Sequence, residues 1–245
     1  MNFKNMLFLS LVILLLSGCS SANSLAVCPP DGIIEWVDVL MIDDLKYDQS
    51  FPDSANENLS ITFEKGQELG KVTYRMADSA CSNYKMQNGD ATYLKEGTII
   101  YEIRGYPSSL LVAANDTVYI IDTNYKAETV AELYPMHNLV KNIYIENTED
   151  GNRIHTFSQS SKEAFLKAFY ELRLEDVQSL LDEAKLEGSR IFLEIELNNG
   201  VSFRQLYWAD SNVFHNGAIG SNEIQKIITA EISNLVLYLQ LCYCY

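Results

Sequence analysis

Residues 190–208 read RIFLEIELNNGVSFRQLYW. Ile191, Leu193, Ile195 and Leu197 alternate with Phe192, Glu194, Glu196 and Asn198, the period of two that sends successive side chains to opposite faces of a strand. Asn199-Gly200 follows, a pair that tolerates the positive φ of a two-residue hairpin turn. The stretch therefore predicts an antiparallel hairpin, with its aliphatic face on a core and Glu194 and Glu196 on a face mostly open to water.

The flanks extend this reading. C-terminally, residues 221–239 place Ile224, Ile227, Ile228, Ile232, Leu235, Val236 and Leu239 on one helical stripe, predicting a helix that covers the sheet. Glu231, Asn234 and Gln240 argue against that helix as a membrane span. N-terminally, residues 140–147 and 153–158 flank an Asp150-Gly151 turn and predict a second hairpin. Ser160 to Glu163 fit a capping-box helix start, after which Ala164, Phe165, Ala168, Phe169 and Leu172 share a face. Leu174, Val177, Leu180, Leu181 and Ala184 continue the helical pattern as far as Gly188. The order ββαββα gives an antiparallel sheet with helices on one face.

Before Pro135, residues 126–135 predict a short helical linker, and the pattern becomes mostly β. Strands are expected over 32–42, 70–77, 97–106, 109–114 and 117–122, the last two joined at Asn115-Asp116, with a polar loop over 43–60. The fold class is thus α+β: a small mostly β domain over 32–134, then an α+β domain over 135–245.

With 245 residues and 47% hydrophobic content, the chain can bury a substantial core. Eighteen Lys and Arg against 33 Asp and Glu give a charge of −15, whose field opposes nucleic acid. No nucleic-acid partner is expected.

The N-terminus, MNFKNMLFLSLVILLLSGC, has Lys4, a largely apolar block from Met6 to Leu16, then Ser17 and Gly18. This is the order of a secretory signal, and the block is shorter than the roughly 20 residues that cross a bilayer. Leu16-Ser17-Gly18-Cys19 resembles the lipobox of bacterial lipoproteins. The resemblance implies a signal peptide over 1–18, cleavage between Gly18 and Cys19, a diacylglyceryl thioether on Cys19, and possible acylation of its amine. Two acyl chains on one residue suffice for stable anchoring where one is marginal. Residues 19–31 then read as a lipid-anchored flexible tether. Loss of residues 1–18 removes one cation, leaving 17 against 33 and a charge of −16. IIEWVDVLMIDDLKY, GQELGKVTY and GDATYLKEGTIIYEIRGY, within residues 33–106, are similar to uncharacterised lipoproteins of Bacillus-type Gram-positive bacteria. That resemblance implies the outer face of the cell membrane and names no activity.

Cys28, Cys81, Cys242 and Cys244 would lie where disulfides persist, with three pairings open. They read as packing or disulfide residues before metal ligands, because His137, His155 and His215 lack zinc-site spacing. No catalytic residue, metal ligand or cofactor is assigned. A G-x-S-x-G elbow is absent, and Asp43-Asp44-Asp48 and the run Glu146 to Asn152 depart from the EF-hand order. Glu194 and Glu196 have the spacing of a carboxylate pair on one strand face, as does any solvated strand. Tyr101, Tyr106, Tyr119 and Tyr125 are candidate stacking surfaces. The expectation is a lipid-anchored extracytoplasmic binding protein with an unknown protein or cell-envelope partner. A cell-envelope hydrolase is the alternative, and a transporter's solute-binding component fits less well because βαβ units are missing.

Overall fold

The computed structural model describes Cys28, residues 36–50 and residues 61–242, with side chains as far as residue 235. The expected signal peptide over 1–18, Cys19 with the rest of the expected tether except Cys28, residues 32–35 and Cys244 lie outside the described residues.

The architecture is mixed α and β, mostly sheet. The first sheet is built from β1 (Val39–Ile42), β2 (Leu45–Gln49), β3 (Lys65–Lys71), β4 (Tyr74–Arg75), β5 (Asp90–Ala91), β6 (Ile99–Ile103), β7 (Leu111–Ala114) and β8 (Thr117–Asn124). Its order is β3-β6-β7-β8-β2-β1-β5-β4, antiparallel except for β4 with β5. The second sheet contains β9 (Val140–Glu146), β10 (Arg153–Thr156), β11 (Arg190–Leu197), β12 (Ser202–Trp208) and β13 (Val213–Phe214), ordered β10-β9-β11-β12-β13 and antiparallel throughout. The described helices are α1 (Met76–Ser79), α2 (Val130–Leu133), α3 (Gln159–Tyr170), α4 (Val177–Asp182) and α5 (Asn222–Cys242).

Both sheets belong to one compact unit, Glu35–Ala80 with Lys85–Tyr245, and each side of the 134/135 division carries one of them. A second, small unit contains the Cys28–Cys81 disulfide. The hairpin of residues 190–208 forms, with β11 at the centre of its sheet, but its turn is longer than the two residues expected: the Leu197 amide donates to the Val201 carbonyl across residues 198–200, and Gly200, not Asn199, takes the positive φ of 85°. Ile143, Ile145, Leu193 and Ile195 are buried in one cluster with Phe165 and Phe169 of α3 and Ile224 and Ile228 of α5. Each such side chain contributes about 1.5–3 kcal/mol on full burial, which holds α3 and α5 to the hydrophobic cluster.

Several local expectations are corrected. Residues 45–49, read as loop, form β2 between β8 and β1. The Asp43-Asp44 turn, with φ of 53° and 62°, reverses the chain there; acidic side chains disguised a hairpin turn. The strand expected over 70–77 is broken: Gly70 and Lys71 end β3, Tyr74 and Arg75 form β4 at the opposite edge of the sheet, and Met76 opens α1. The cap of α3 is Ser158, which accepts from the Ser161 amide, two residues before the expected start. α4 stops at Asp182, and Ala184 at φ 55° turns the chain before Gly188 is reached. Glu194 and Glu196, placed by the sequence on a wet face, are each 2% exposed.

Candidate functional site

Burial of Glu194 and Glu196 places two carboxylates where an unpaired charge would be costly, so their partners are informative. Register sets Glu194 between Tyr144 of β9 and Arg204 of β12, and Glu196 between Asn142 and Ser202. From β10, Arg153 donates Nε to Glu194 Oε2 at 2.6 Å and Nη2 to Oε1 at 2.7 Å, a two-pronged pair. The guanidinium also lies 4.0 Å from the centre of the Tyr144 ring. The Tyr144 hydroxyl donates to Glu196 Oε2 at 2.5 Å, Asn142 Nδ2 donates to the same oxygen at 3.0 Å, and Lys141 Nζ donates to Oε1 at 2.8 Å. Glu146 is bonded to Arg204, whose guanidinium stands over the Phe192 ring at 4.6 Å. Every buried carboxylate on this face therefore has a cationic partner.

The pKa directions follow. Burial acts against ionised Glu196, but hydrogen bonds from Lys141, Tyr144 and Asn142 outweigh it and hold the carboxyl below its usual value. Burial and the adjoining Glu196 push the Tyr144 phenol up to about 12. The Glu194 hydrogen bonds raise Arg153 above the ordinary guanidinium range.

Beside this network is a cavity of about 330 Å³, lined from the first sheet by Asp48, Ile120 and Asp122 and from the second by Glu194, Arg204 and Gln205. Lys46 Nζ reaches Asp122 Oδ2 at 2.8 Å and stands 3.8 Å from Asp48 Oδ1. Burial pushes the Asp48 carboxyl up to about 6, assisted by the charges of Asp122 and Asp38 and opposed by Lys46. Burial also works against the Lys46 ammonium, but Asp122 and Asp48 together raise its pKa. His215 forms another wall. Burial lowers its pKa against the pull of Asp122 and of the Leu206 hydrogen bond. Because the Leu206 amide donates to His215 Nδ1 at 3.2 Å, the neutral ring carries its proton on Nε2. A second cavity, of about 520 Å³, shares Asp122 and His215 as walls and includes Tyr125, which is 80% exposed.

Two atoms in the first cavity's lining are incompletely matched. Gln205 is fully buried; its Oε1 accepts from Asn216 at 3.1 Å, while its Nε2 faces the Tyr134 hydroxyl without completing a hydrogen bond. Asp48 Oδ1 is buried without a hydrogen-bond donor. The arrangement offers a donor, an acceptor and a carboxyl that exchanges its proton near pH 6.

Of the candidates read from sequence, Glu194 and His215 meet at this cavity, and Asp48 joins them from the acidic run. His155 instead bonds Glu231 at 2.5 Å, and His137 stacks on Tyr170 at 4.0 Å. Asp44 pairs with Lys126 and Asn88 on the surface, and Tyr119 is buried in the core. The sequence reading missed Asp122, Arg153, Arg204 and Gln205. The only local signal for the arginines was charge of opposite sign on strands expected to be neighbours. Glu231, 1% exposed, was read only as an argument against a membrane span, although its place on the Ile224–Ile228 face of the helix was a signal of burial.

Among the described residues no group of three His, Cys, Asp or Glu is placed to hold a metal ion, and no helix is long and apolar enough to cross a membrane. Comparison of the chain with protein-family models, curated proteins and solved structures found no match.

Proposed function

We propose that this chain is a lipid-anchored extracytoplasmic binding protein of a bacterial cell surface, held to the membrane through acyl groups on Cys19 after cleavage behind Gly18. The inter-sheet cavity carries the binding part of the reading. Its carboxylates Glu146 and Glu194 are already neutralised by arginines, while Gln205 Nε2 and Asp48 Oδ1 complete no hydrogen bond, which suits recognition of a polar molecule. The Leu16-Ser17-Gly18-Cys19 motif supports the anchor, and the Cys28–Cys81 disulfide supports an oxidising compartment. Within this reading the chain keeps its two parts, a mostly β domain over 32–134 and an α+β domain over 135–245, with the ligand taken up between their sheets. The Gram-positive setting follows the resemblance over residues 33–106.

One observation favours a second reading, an envelope hydrolase: Asp48, with its raised pKa, lines the same cavity as His215. Expression in a Gram-positive host with labelled palmitate tests the anchor. Label is expected in the native chain and not in Cys19→Ala, which should stay uncleaved or escape to the medium. A cleaved, lipid-free form retained at the membrane would sink the lipoprotein assignment. Turnover of wall, peptide or ester substrates that Asp48→Asn abolishes would favour the hydrolase.

A further inference from the structure

Resting on the binding reading above, we propose that the inter-sheet cavity takes a small organic cation that also carries a hydrogen-bond acceptor, an amino-acid amide or a compound of that size. Three features point to this chemistry. The first is charge. Of the lining carboxylates, Glu146 and Glu194 are paired with Arg204 and Arg153, and Asp122 with Lys46, so Asp48 is the carboxylate in excess and the cavity favours a cation over an anion. The second is the pair of unmatched atoms. Asp48 Oδ1 accepts no hydrogen bond and has Lys46 Nζ only at 3.8 Å, a gap that a bound ammonium closes; the fully buried Gln205 Nε2 faces the Tyr134 hydroxyl without completing a hydrogen bond, and a carbonyl supplies it a full acceptor. The third is the form of the cation. The carboxylates are divided between two sheets, and among the described residues no three acidic, His or Cys side chains converge as an ion's ligand set, so an organic ammonium fits better than a metal. A cavity of about 330 Å³ suits a molecule at the small end of ligand size.

Proton linkage adds a signature. Asp48 faces Lys46 on its own strand, Asp122 on β8, Asp38 ahead of β1, and Glu146, Glu194, Arg204 and His215 from the other sheet. An ammonium beside it stabilises the ionised carboxyl and expels its proton. Affinity must therefore rise with pH through the free site's value of about 6, by about tenfold between about pH 5 and about pH 7. His215 acts in the same direction, since its protonated ring repels a cation.

The experiment is calorimetric titration of the full chain in detergent with glycinamide, L-lysinamide and L-argininamide, and with neutral N-acetylglycinamide and anionic N-acetylglycine. Saturable binding of at least one cationic amide is expected, with the stated pH dependence. Asp48→Asn should weaken it about tenfold and flatten the pH profile, and Gln205→Leu should weaken it by a similar factor, with circular dichroism unchanged in both. No saturable binding of any cationic amide at millimolar concentration, or binding indifferent to both substitutions, overturns the proposal. If the neutral or anionic probe alone binds, the ligand class is wrong while the binding reading stands. Turnover of a probe would end the binding reading itself.

Discussion

Asp48 has a carboxyl whose folded pKa, about 6, exceeds its ordinary 3.8. A carboxyl raised on folding contributes its stability below the unfolded value and loses it as pH climbs through the folded one. Between about pH 4 and about pH 6 the unfolded chain releases this proton first, so the native state weakens across that window. Asp48→Asn removes the titration while keeping the shape. The variant should melt with the native chain below pH 4 and above it at pH 7, a gap read by thermal unfolding at several pH values. A gap of constant size would mean that another group sets the profile. None of this was visible in the sequence, where Asp48 stood in an acidic, Ser- and Asn-rich run that looked like loop. Likewise, Glu194 and Glu196 were correctly put on the face opposite the aliphatic residues, but alternation names a face and not what lies over it. Their cover comes from Arg153, Lys141 and Tyr144 on strands some 40 to 55 positions away, a separation no local pattern reports.

Strands with strong alternation were legible as elements, and so were turns whose residues accept positive φ, as at Asn115-Asp116 and Asn199-Gly200. The long amphipathic helix α5 was legible for the same reason, a repeated apolar spacing that only one geometry satisfies. β2 was not, since LKYDQ carries just Leu45 and Tyr47 as apolar residues and owes its place to the strands on either side. α4 was overextended because Leu181 and Ala184 continued the periodicity, although Leu181 is exposed and Ala184 leaves the helical region. The second sheet also makes a prediction at this scale. β10 is an edge strand, paired only with β9 among the described strands, yet its Arg153 secures Glu194 on the central strand β11. Removing one partner of a buried ion pair leaves the other charge uncompensated, a loss of about 3–5 kcal/mol. Arg153→Met should fall in that range by urea unfolding. The double variant Arg153→Met with Glu194→Leu should recover much of the loss, since an apolar pair of similar size avoids the stranded charge. Equal instability of single and double variants would show that packing over Tyr144, and not charge pairing, is what Arg153 supplies.

At the scale of the whole molecule, the Cys28–Cys81 bond closes a loop of 53 positions that contains β1 through β4. Those strands do not stay together: β1 and β2 lie inside the first sheet, whereas β3 and β4 form its opposite edges. A crosslink at both ends of this excursion restricts the unfolded chain at the segment that must spread farthest across the sheet. Chain-entropy reasoning puts the stabilisation at about 4 kcal/mol for a loop of this length. The bond also fixes the chain nine positions after Cys19. If Cys19 is the anchor, an extended segment of that length spans at most about 30 Å. Reduction should therefore lower the urea midpoint of the full chain without releasing it from membranes, since the thioether proposed at Cys19 resists thiol reagents that open Cys28–Cys81. Two measurements on one sample decide it, an unfolding curve with and without reductant and the membrane-bound fraction after reduction. An unchanged midpoint would show that the crosslink leaves the stability of the first sheet untouched. Release by reductant would show that attachment runs through a disulfide-linked partner, and the lipid anchor would have to be abandoned.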